Sequence, residues 1–330
     1  MSVFYKIYTN ELFKISWVYL VLALINLRVK LWLTPFWHVD VLAKNHALFL
    51  QFQNTNNEQS RILQFYVPEA LIKIFGFSVQ DAYQIQRWVF VFLTFLCFHI
   101  YLKKWFDSKL AFTGVVFLSA VMPLTYSNAL QESAPLLMLT FLLGLWTIRE
   151  HQFYRYGVVL LIGAINNETV LILPAVFFFY NIRTLELKHI LKVSTLTIGT
   201  CLPAFFYTGM IRYITRDRPH LGGAWHLPDN INGLIEQSMK SPLFYWQAGY
   251  LYLIFLFGVF WLYAFFNFSS KPFFLQRSSW MIPLFIIIHF LTGVIHESRQ
   301  MLPLSFIIIP SAIWYLFANE ETKTVSKGKT

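Results

Sequence analysis

Long apolar runs recur along almost the whole chain, and short segments containing lysine and arginine separate them. A helix of about 20 apolar residues is long enough to cross the hydrocarbon layer of a bilayer. The pattern therefore predicts an all-α polytopic membrane protein. The predicted spans are Ile15–Phe36, Trp88–Lys104, Leu110–Tyr126, Ser133–Ile148, Ile190–Ile211, Leu243–Phe268, Trp280–Ile295 and Met301–Phe317.

The composition excludes an ordinary soluble protein. Hydrophobic residues make up 57% of the chain and charged residues only 13%, whereas soluble domains carry about 25% charged residues. The net charge of +10 suggests a nucleic-acid partner at first sight, but the basic residues lie in loops between apolar runs, where membrane topology explains them better. We expect one integral membrane domain over residues 1–330, contacting membrane lipids and no nucleic acid. Cys97 and Cys201 both fall within predicted spans and indicate no disulfide.

The distribution of basic residues predicts the orientation, because cytoplasmic loops are enriched in lysine and arginine. The N-terminus and the loops near Lys103 and Arg149 are then cytoplasmic, and residues 38–86 are external. Within 38–86, helical spacing of apolar residues predicts two interfacial helices separated by the polar run 54–60. Arg28 and Lys30, in the outer half of the first span, are long cationic side chains that are expected to snorkel towards the membrane surface.

The apolar stretch Gly157–Tyr180 carries Asn166, Asn167 and Glu168 at its middle. A single crossing here would place most of the later basic residues outside, against the usual bias, whereas a segment that dips in and returns would place them in the cytoplasm. We therefore predict a re-entrant helix pair at 157–182. An external loop at 212–241 and a cytoplasmic tail at 319–330 follow.

Glu168 is the strongest single candidate for function. A carboxylate deep in the membrane costs roughly 2.5 to 3.5 kcal/mol, so it should face a wet cavity or a partner. We expect Glu168 and Asn167 to line the working cavity. The structural alternative is a buried pair between Glu168 and an arginine such as Arg61 or Arg299.

Other external residues combine carboxylates with arginines, a mixture that suits a phosphate-bearing substrate and a proton acceptor. Each has a plain structural alternative: a surface or capping acid, an acid at a helix N-terminus, a loop contacting lipid phosphates, or an ion pair within one turn. No metal-binding spacing is present, although a divalent ion held with a diphosphate is left open. The candidates are Asp40, Glu58 and Glu132 as proton acceptors, and Arg61, Arg216, Arg218, His220, Glu297 and Arg299 as substrate-binding residues.

Short motifs add a family resemblance. The segment Gly163–Thr169 followed by Leu173-Pro174 resembles the region after the fourth span of polytopic glycosyltransferases of the GT-C class. Arg61-Ile62-Leu63 before Pro68 and Glu297-Ser298-Arg299 before Pro303 are similar to patterns in relatives of that class.

The resemblance implies a GT-C-like fold and an external active site that moves a sugar from a polyprenyl-phosphate donor to a glycan, lipid or protein acceptor. Many such enzymes show two nearby acids just after the first helix, whereas here Asp40 stands alone. A bacterial inner membrane with both termini cytoplasmic is the expected setting. The alternatives are a transporter or flippase for a lipid-linked or anionic solute, and a non-catalytic assembly subunit.

Overall fold

The computed structural model describes residues 2–126, 132–218, 225–238, 256–293 and 298–317, and this part of the chain contains helices and no strand. In chain order the α-helices are α1 (Ser2–Leu33), α2 (Leu42–Leu50), α3 (Asn56–Gln59), α4 (Ile62–Phe75), α5 (Val79–Leu102), α6 (Ser108–Val121), α7 (Ala134–Arg149), α8 (Phe153–Asn166), α9 (Leu173–Asn181), α10 (Leu187–Ile214), α11 (Leu227–Ser238), α12 (Phe260–Tyr263), α13 (Phe273–Ser279), α14 (Met281–Thr292) and α15 (Ser305–Phe317). A π-helical turn precedes α2, and short 3₁₀ turns precede α9 and α15.

Six helical segments of the described chain are long and apolar enough to cross a membrane. The protein is thus an all-α, multi-pass integral membrane protein, as predicted. The helices α7, α8 and α9 are apolar but shorter. The six segments are Glu11–Leu33, Val79–Leu102, Ser108–Thr125, Leu187–Ile214, Phe273–Thr292 and Ser298–Phe317.

The start of α5 differs from the predicted span. The helix begins at Val79 rather than near Trp88, because Ser78 caps it: the Ser78 hydroxyl accepts a hydrogen bond from the backbone N–H of Asp81 at 3.1 Å. Residues 79–86 therefore belong to a membrane helix and not to the predicted loop 38–86. The two helices predicted within that loop are present as α2 and α4.

Other predicted boundaries also shift. The helix α8 begins at Phe153, ahead of the predicted start of the re-entrant pair, and α10 continues through Arg212 to Ile214, so the predicted loop 212–241 begins inside a helix. Asp229 lies in the first turn of α11. The first half of the predicted span Leu243–Phe268, and the whole of the predicted tail 319–330, lie outside the described residues.

One end of the helix bundle collects basic side chains where helices meet, and we call it the basic end. Lys103 lies 3.9 Å from the carboxylate of Glu11, the first residue of the apolar segment Glu11–Leu33 of α1, and Lys104 lies 3.2 Å from Glu150 after α7. The guanidinium of Arg149 lies 4.9 Å from the ring centre of Trp105. The end of α15 reaches the same level, since its Trp314 packs on Phe106 with ring centres 6.1 Å apart. The start of α1 and the end of α15 therefore lie at one end of the molecule.

The helices α8 and α9, joined by the 3₁₀ turn Glu168–Ile172, form an antiparallel hairpin that we call the 153–181 hairpin. Phe153 at the start of α8 and Phe177 in α9 have ring centres 5.4 Å apart, and the Tyr180 ring stacks on His151 at 5.2 Å. Both ends of the hairpin thus lie at the basic end. The tip packs closely on the connecting turn and on α7: a Cβ added at Gly163 would lie 2.9 Å from a Val170 methyl carbon of the turn and 3.2 Å from the Thr140 hydroxyl oxygen of α7.

Candidate functional site: a buried charged cluster

The end of the bundle opposite to the basic end contains four charged side chains buried together, which we call the central cluster: Lys30, Arg87, Glu132 and Arg299. Lys30 lies 19 residues beyond Glu11 in α1, which corresponds to about 28 Å along a helix, close to one hydrocarbon thickness. Each of the four side chains is less than 10% exposed. A group of charges buried this far along the bundle marks a working site by default.

A charge-assisted pair forms the middle of the central cluster. Nε and Nη2 of Arg87 donate hydrogen bonds to Oε2 of Glu132 at 3.1 and 2.9 Å. Burial alone would raise the pKa of the Glu132 carboxyl, but the nearby charges of Arg87 and Lys30 outweigh it and hold that pKa below its usual value. Glu132 is therefore a fixed anion at neutral pH.

Two narrow clefts meet at the central cluster. Lys30 and Arg87 line both of them; Glu132 and His38 line the first, and Arg299 lines the second. In this conformation each cleft has room for about one water molecule. A larger anionic group would enter only with movement of the cationic side chains around it.

The position of Lys30 differs from the predicted one. Its side chain is 5% exposed and points into the bundle, so it does not snorkel to the membrane surface. Two neighbours on α1 show the helical pattern behind this burial: Asn26, also buried, donates a hydrogen bond to the Ser119 hydroxyl at 2.8 Å, whereas Arg28 on the opposite face is exposed. Asn26 and Lys30 are four residues apart and share the inward face.

The tip of the 153–181 hairpin reaches the central cluster through Ser133. The side-chain amide of Asn166 donates to the Ser133 carbonyl at 2.9 Å, and that of Asn167 donates to the Ser133 hydroxyl at 3.1 Å. Ser133 follows Glu132 directly in the chain. Two of the predicted residues, Asn167 and Glu132, are thereby brought to the same place.

Glu168 pairs with Arg212 of α10, and neither Arg61 nor Arg299 is its partner in an ion pair of the described chain. Both side chains of this pair are about one-third exposed. Glu168 therefore lies at an accessible margin beside the central cluster and is not sealed within the bundle.

A second group of predicted residues lies near the end of α10. The Arg61 guanidinium donates to Glu58 at 3.0 Å, and both side chains are largely buried. The Tyr207 hydroxyl of α10 donates to the carbonyl of Ser60 at 3.2 Å and connects this pair to the helix that carries Arg212. Arg218 lies 5.2 Å from the ring centre of Phe52, so the turn after α10 contacts the segment between α2 and α3.

The remaining candidates are dispersed. Asp40 is exposed in the π-helical turn and makes no hydrogen bond or ion pair within the described residues, although His38, two residues before it, lines the first cleft. Arg216 packs over Tyr213 with 4.3 Å to the ring centre and is mostly exposed. His220 and Glu297 lie outside the described residues. In the part of the chain that is described, no three His, Cys, Asp or Glu side chains gather in a way that could hold a metal ion.

Sequence reasoning missed Arg87 and Lys30. Arg87 fell one residue before the predicted span, but the capping motif Ser78-x-x-Asp81 was a readable signal that the helix starts earlier and carries Arg87 inside. For Lys30, the available signal was its spacing of four residues from Asn26, which places both side chains on one face of the helix.

Comparisons of the chain with protein-family models, with curated proteins and with solved structures each return no match.

Proposed function

We propose that this protein is a membrane glycosyltransferase of the GT-C kind, which moves a sugar from a polyprenyl-phosphate donor to an acceptor on the non-cytosolic face. The observation that supports the proposal is the central cluster, where Arg87 and Lys30 act on the one carboxylate, Glu132, and Arg299 lies beside Lys30. Cationic groups buried in a low-dielectric site stabilise negative charge far more than they would in water. The leaving group of such a transfer is a phosphate.

The proposed orientation is supported by the basic end. Its lysines and arginines would face the cytosol under the positive-inside bias, so both ends of the described bundle, the start of α1 and the end of α15, would be cytosolic. The central cluster would then open towards the opposite side, the periplasm if the membrane is a bacterial inner membrane.

The 153–181 hairpin would be a re-entrant pair in the membrane. Each arm is too short to cross alone, because the 14 residues of α8 rise about 21 Å against a hydrocarbon layer of about 30 Å. Non-helical backbone at the depth of Asn167 is tolerated only where protein or water surrounds it, and Asn167 is 4% exposed. The tip would position Asn167 and Glu168 towards donor or acceptor.

In the transfer itself, the oxygen of an acceptor hydroxyl would attack the anomeric carbon of the donor sugar as the bond from that carbon to the phosphate oxygen breaks. Lys30, Arg87 and Arg299 would bind the departing phosphate, and Arg61, Arg216 and Arg218 would contact the substrate at the margin. A carboxylate takes the hydroxyl proton. Asp40 suits that role best, since Glu132 and Glu58 are each held by an arginine.

The test is turnover by purified protein given labelled polyprenyl-phosphate sugars and a panel of acceptors. Lys30→Met should lower the rate about 100-fold or more, as loss of a charge-stabilising donor does, and Asp40→Asn should do likewise. Arg28→Gln is the matched control, because Arg28 is an exposed cation on the same helix, and it should keep the wild-type rate.

Two results would contradict the proposal. Turnover that survives both Lys30→Met and Asp40→Asn would show that neither residue has the role proposed for it. Movement of a labelled solute that depends on a proton gradient and yields no covalent product would instead identify a transporter.

A further inference from the structure

A groove of about 390 Å³ lies between α7 and α8 at the basic end, away from the central cluster. Leu143, Trp146 and Thr147 of α7 form one wall, and the residues of the other wall lie at the start of α8. The groove opens outward, since Tyr154 on its edge is 85% exposed. In a membrane-spanning bundle an outward-opening apolar groove faces lipid.

The lining changes from polar to apolar along the helix axis. Gln152 and Arg155 lie at the end nearest the loop between the two helices, whereas Val158, Val159 and Leu143 lie about one helical turn further into the bundle. This order matches a phospholipid in the leaflet at that end, with its head group at the loop and its acyl chain directed towards the membrane centre.

The charge at the polar end favours an anionic head group. Nη1 of Arg155 donates to the side-chain oxygen of Gln152 at 3.0 Å, and no carboxylate of the described residues pairs with Arg155. Lys104 lies 5.8 Å from the ring centre of Trp146 in the wall. Glu150 is the nearby acid, and it already pairs with Lys104 and Arg149.

We propose that this groove binds one anionic glycerophospholipid, with its phosphate on Arg155 and Gln152 and one acyl chain along Leu143, Val158 and Val159. Arginine is suited to phosphate because its planar fork matches two phosphate oxygens. Trp146 and Tyr154 are amphipathic rings of the type found at membrane interfaces. The site is independent of the proposed transferase activity.

The test is native mass spectrometry of the full-length protein, purified in detergent and incubated with an equimolar mixture of phosphatidylglycerol and phosphatidylcholine. Wild-type protein should retain one phosphatidylglycerol in preference to phosphatidylcholine. Arg155→Gln should weaken that preference about fivefold, the effect of removing one cation near an anionic lipid. Arg183→Gln is the matched control, an exposed arginine at the same end outside the groove lining, and it should bind as wild type does.

Val158→Trp gives a second, charge-neutral variant that fills the apolar part of the groove and should also reduce retention of phosphatidylglycerol. Equal retention of both lipids by the wild type would overturn the proposal, as would retention unchanged in both groove variants. A wild-type dimer that Val158→Trp dissociates would show that a second copy of the chain occupies the groove and would equally overturn it.

Discussion

At the scale of single residues, the buried pair between Arg87 and Glu132 is the contact on which we expect stability to depend most. Two charges removed from water are stable only while each retains its partner. Arg87→Met should therefore destabilise the protein by about 3 to 5 kcal/mol, because it leaves the Glu132 carboxylate buried without the arginine that donates two hydrogen bonds to it. Thermal unfolding in detergent measures the effect.

The matched comparison is the double variant Arg87→Met with Glu132→Met, which removes both charges and should recover most of the loss. Lys73→Ala is the surface control, since the lysine of its pair with Glu69 is 74% exposed, and it should change stability by less than about 1 kcal/mol. A double variant as unstable as Arg87→Met alone would contradict the pairing.

The pair between Arg87 and Glu132 should also make the stability of the protein depend on pH. The pKa of Glu132 in the folded protein lies below its usual value of 4.5, so the unfolded chain takes up the proton first as the pH falls. The stability that the charged carboxylate contributes is therefore complete above pH 4.5 and lost as the pH drops towards the folded pKa. Melting temperatures of the wild type should fall more steeply below pH 4.5 than those of the double methionine variant; parallel curves would disprove the linkage.

At the scale of elements, the 153–181 hairpin depends on the absence of a side chain at Gly163. A Cβ there would lie 2.9 Å from Val170 and 3.2 Å from the Thr140 hydroxyl. Gly163→Leu should separate the hairpin from α7, break the hydrogen bond from Asn167 to Ser133 and lower the melting temperature by several degrees, as a core overpacking of about 1 to 3 kcal/mol does.

Gly199→Leu provides the control, because Gly199 lies in α10 with no atom within 4 Å of an added Cβ. A larger side chain there should be tolerated, and helix propensity favours it by up to about 1 kcal/mol. Equal destabilisation by the two variants would show that Gly163 is not required for close packing of the hairpin.

Several elements could be predicted from the sequence, for physical reasons that are easy to identify. Apolar length predicted the crossing helices, and the amide–acid triplet 166–168 predicted the break in the hairpin. The start of α5 was misplaced because hydropathy counts apolar residues and gives little weight to the cap at Ser78. The partner of Glu168 could not be deduced, since Arg212 is distant in sequence and only packing of α10 on α8 brings it close.

At the scale of the whole molecule, charged side chains lie at two ends of one bundle and differ in burial. Lysines and arginines at the basic end lie at loops and would set the orientation under the positive-inside bias, whereas Lys30, Arg87 and Arg299 are buried with Glu132 and form the proposed site. Composition revealed the total charge but could not separate these two populations. Burial in the folded bundle separates them.

The buried cluster is proposed to open on the side opposite to the cytosol, and both ends of the hairpin are proposed to be cytosolic. Cysteine labelling distinguishes the two faces of the membrane, with Cys97 and Cys201 first replaced by alanine. A membrane-impermeant maleimide should modify Asp40→Cys in intact cells, and should modify Arg183→Cys only after the membrane is permeabilised. Modification of Arg183→Cys in intact cells would show that the proposed orientation is wrong.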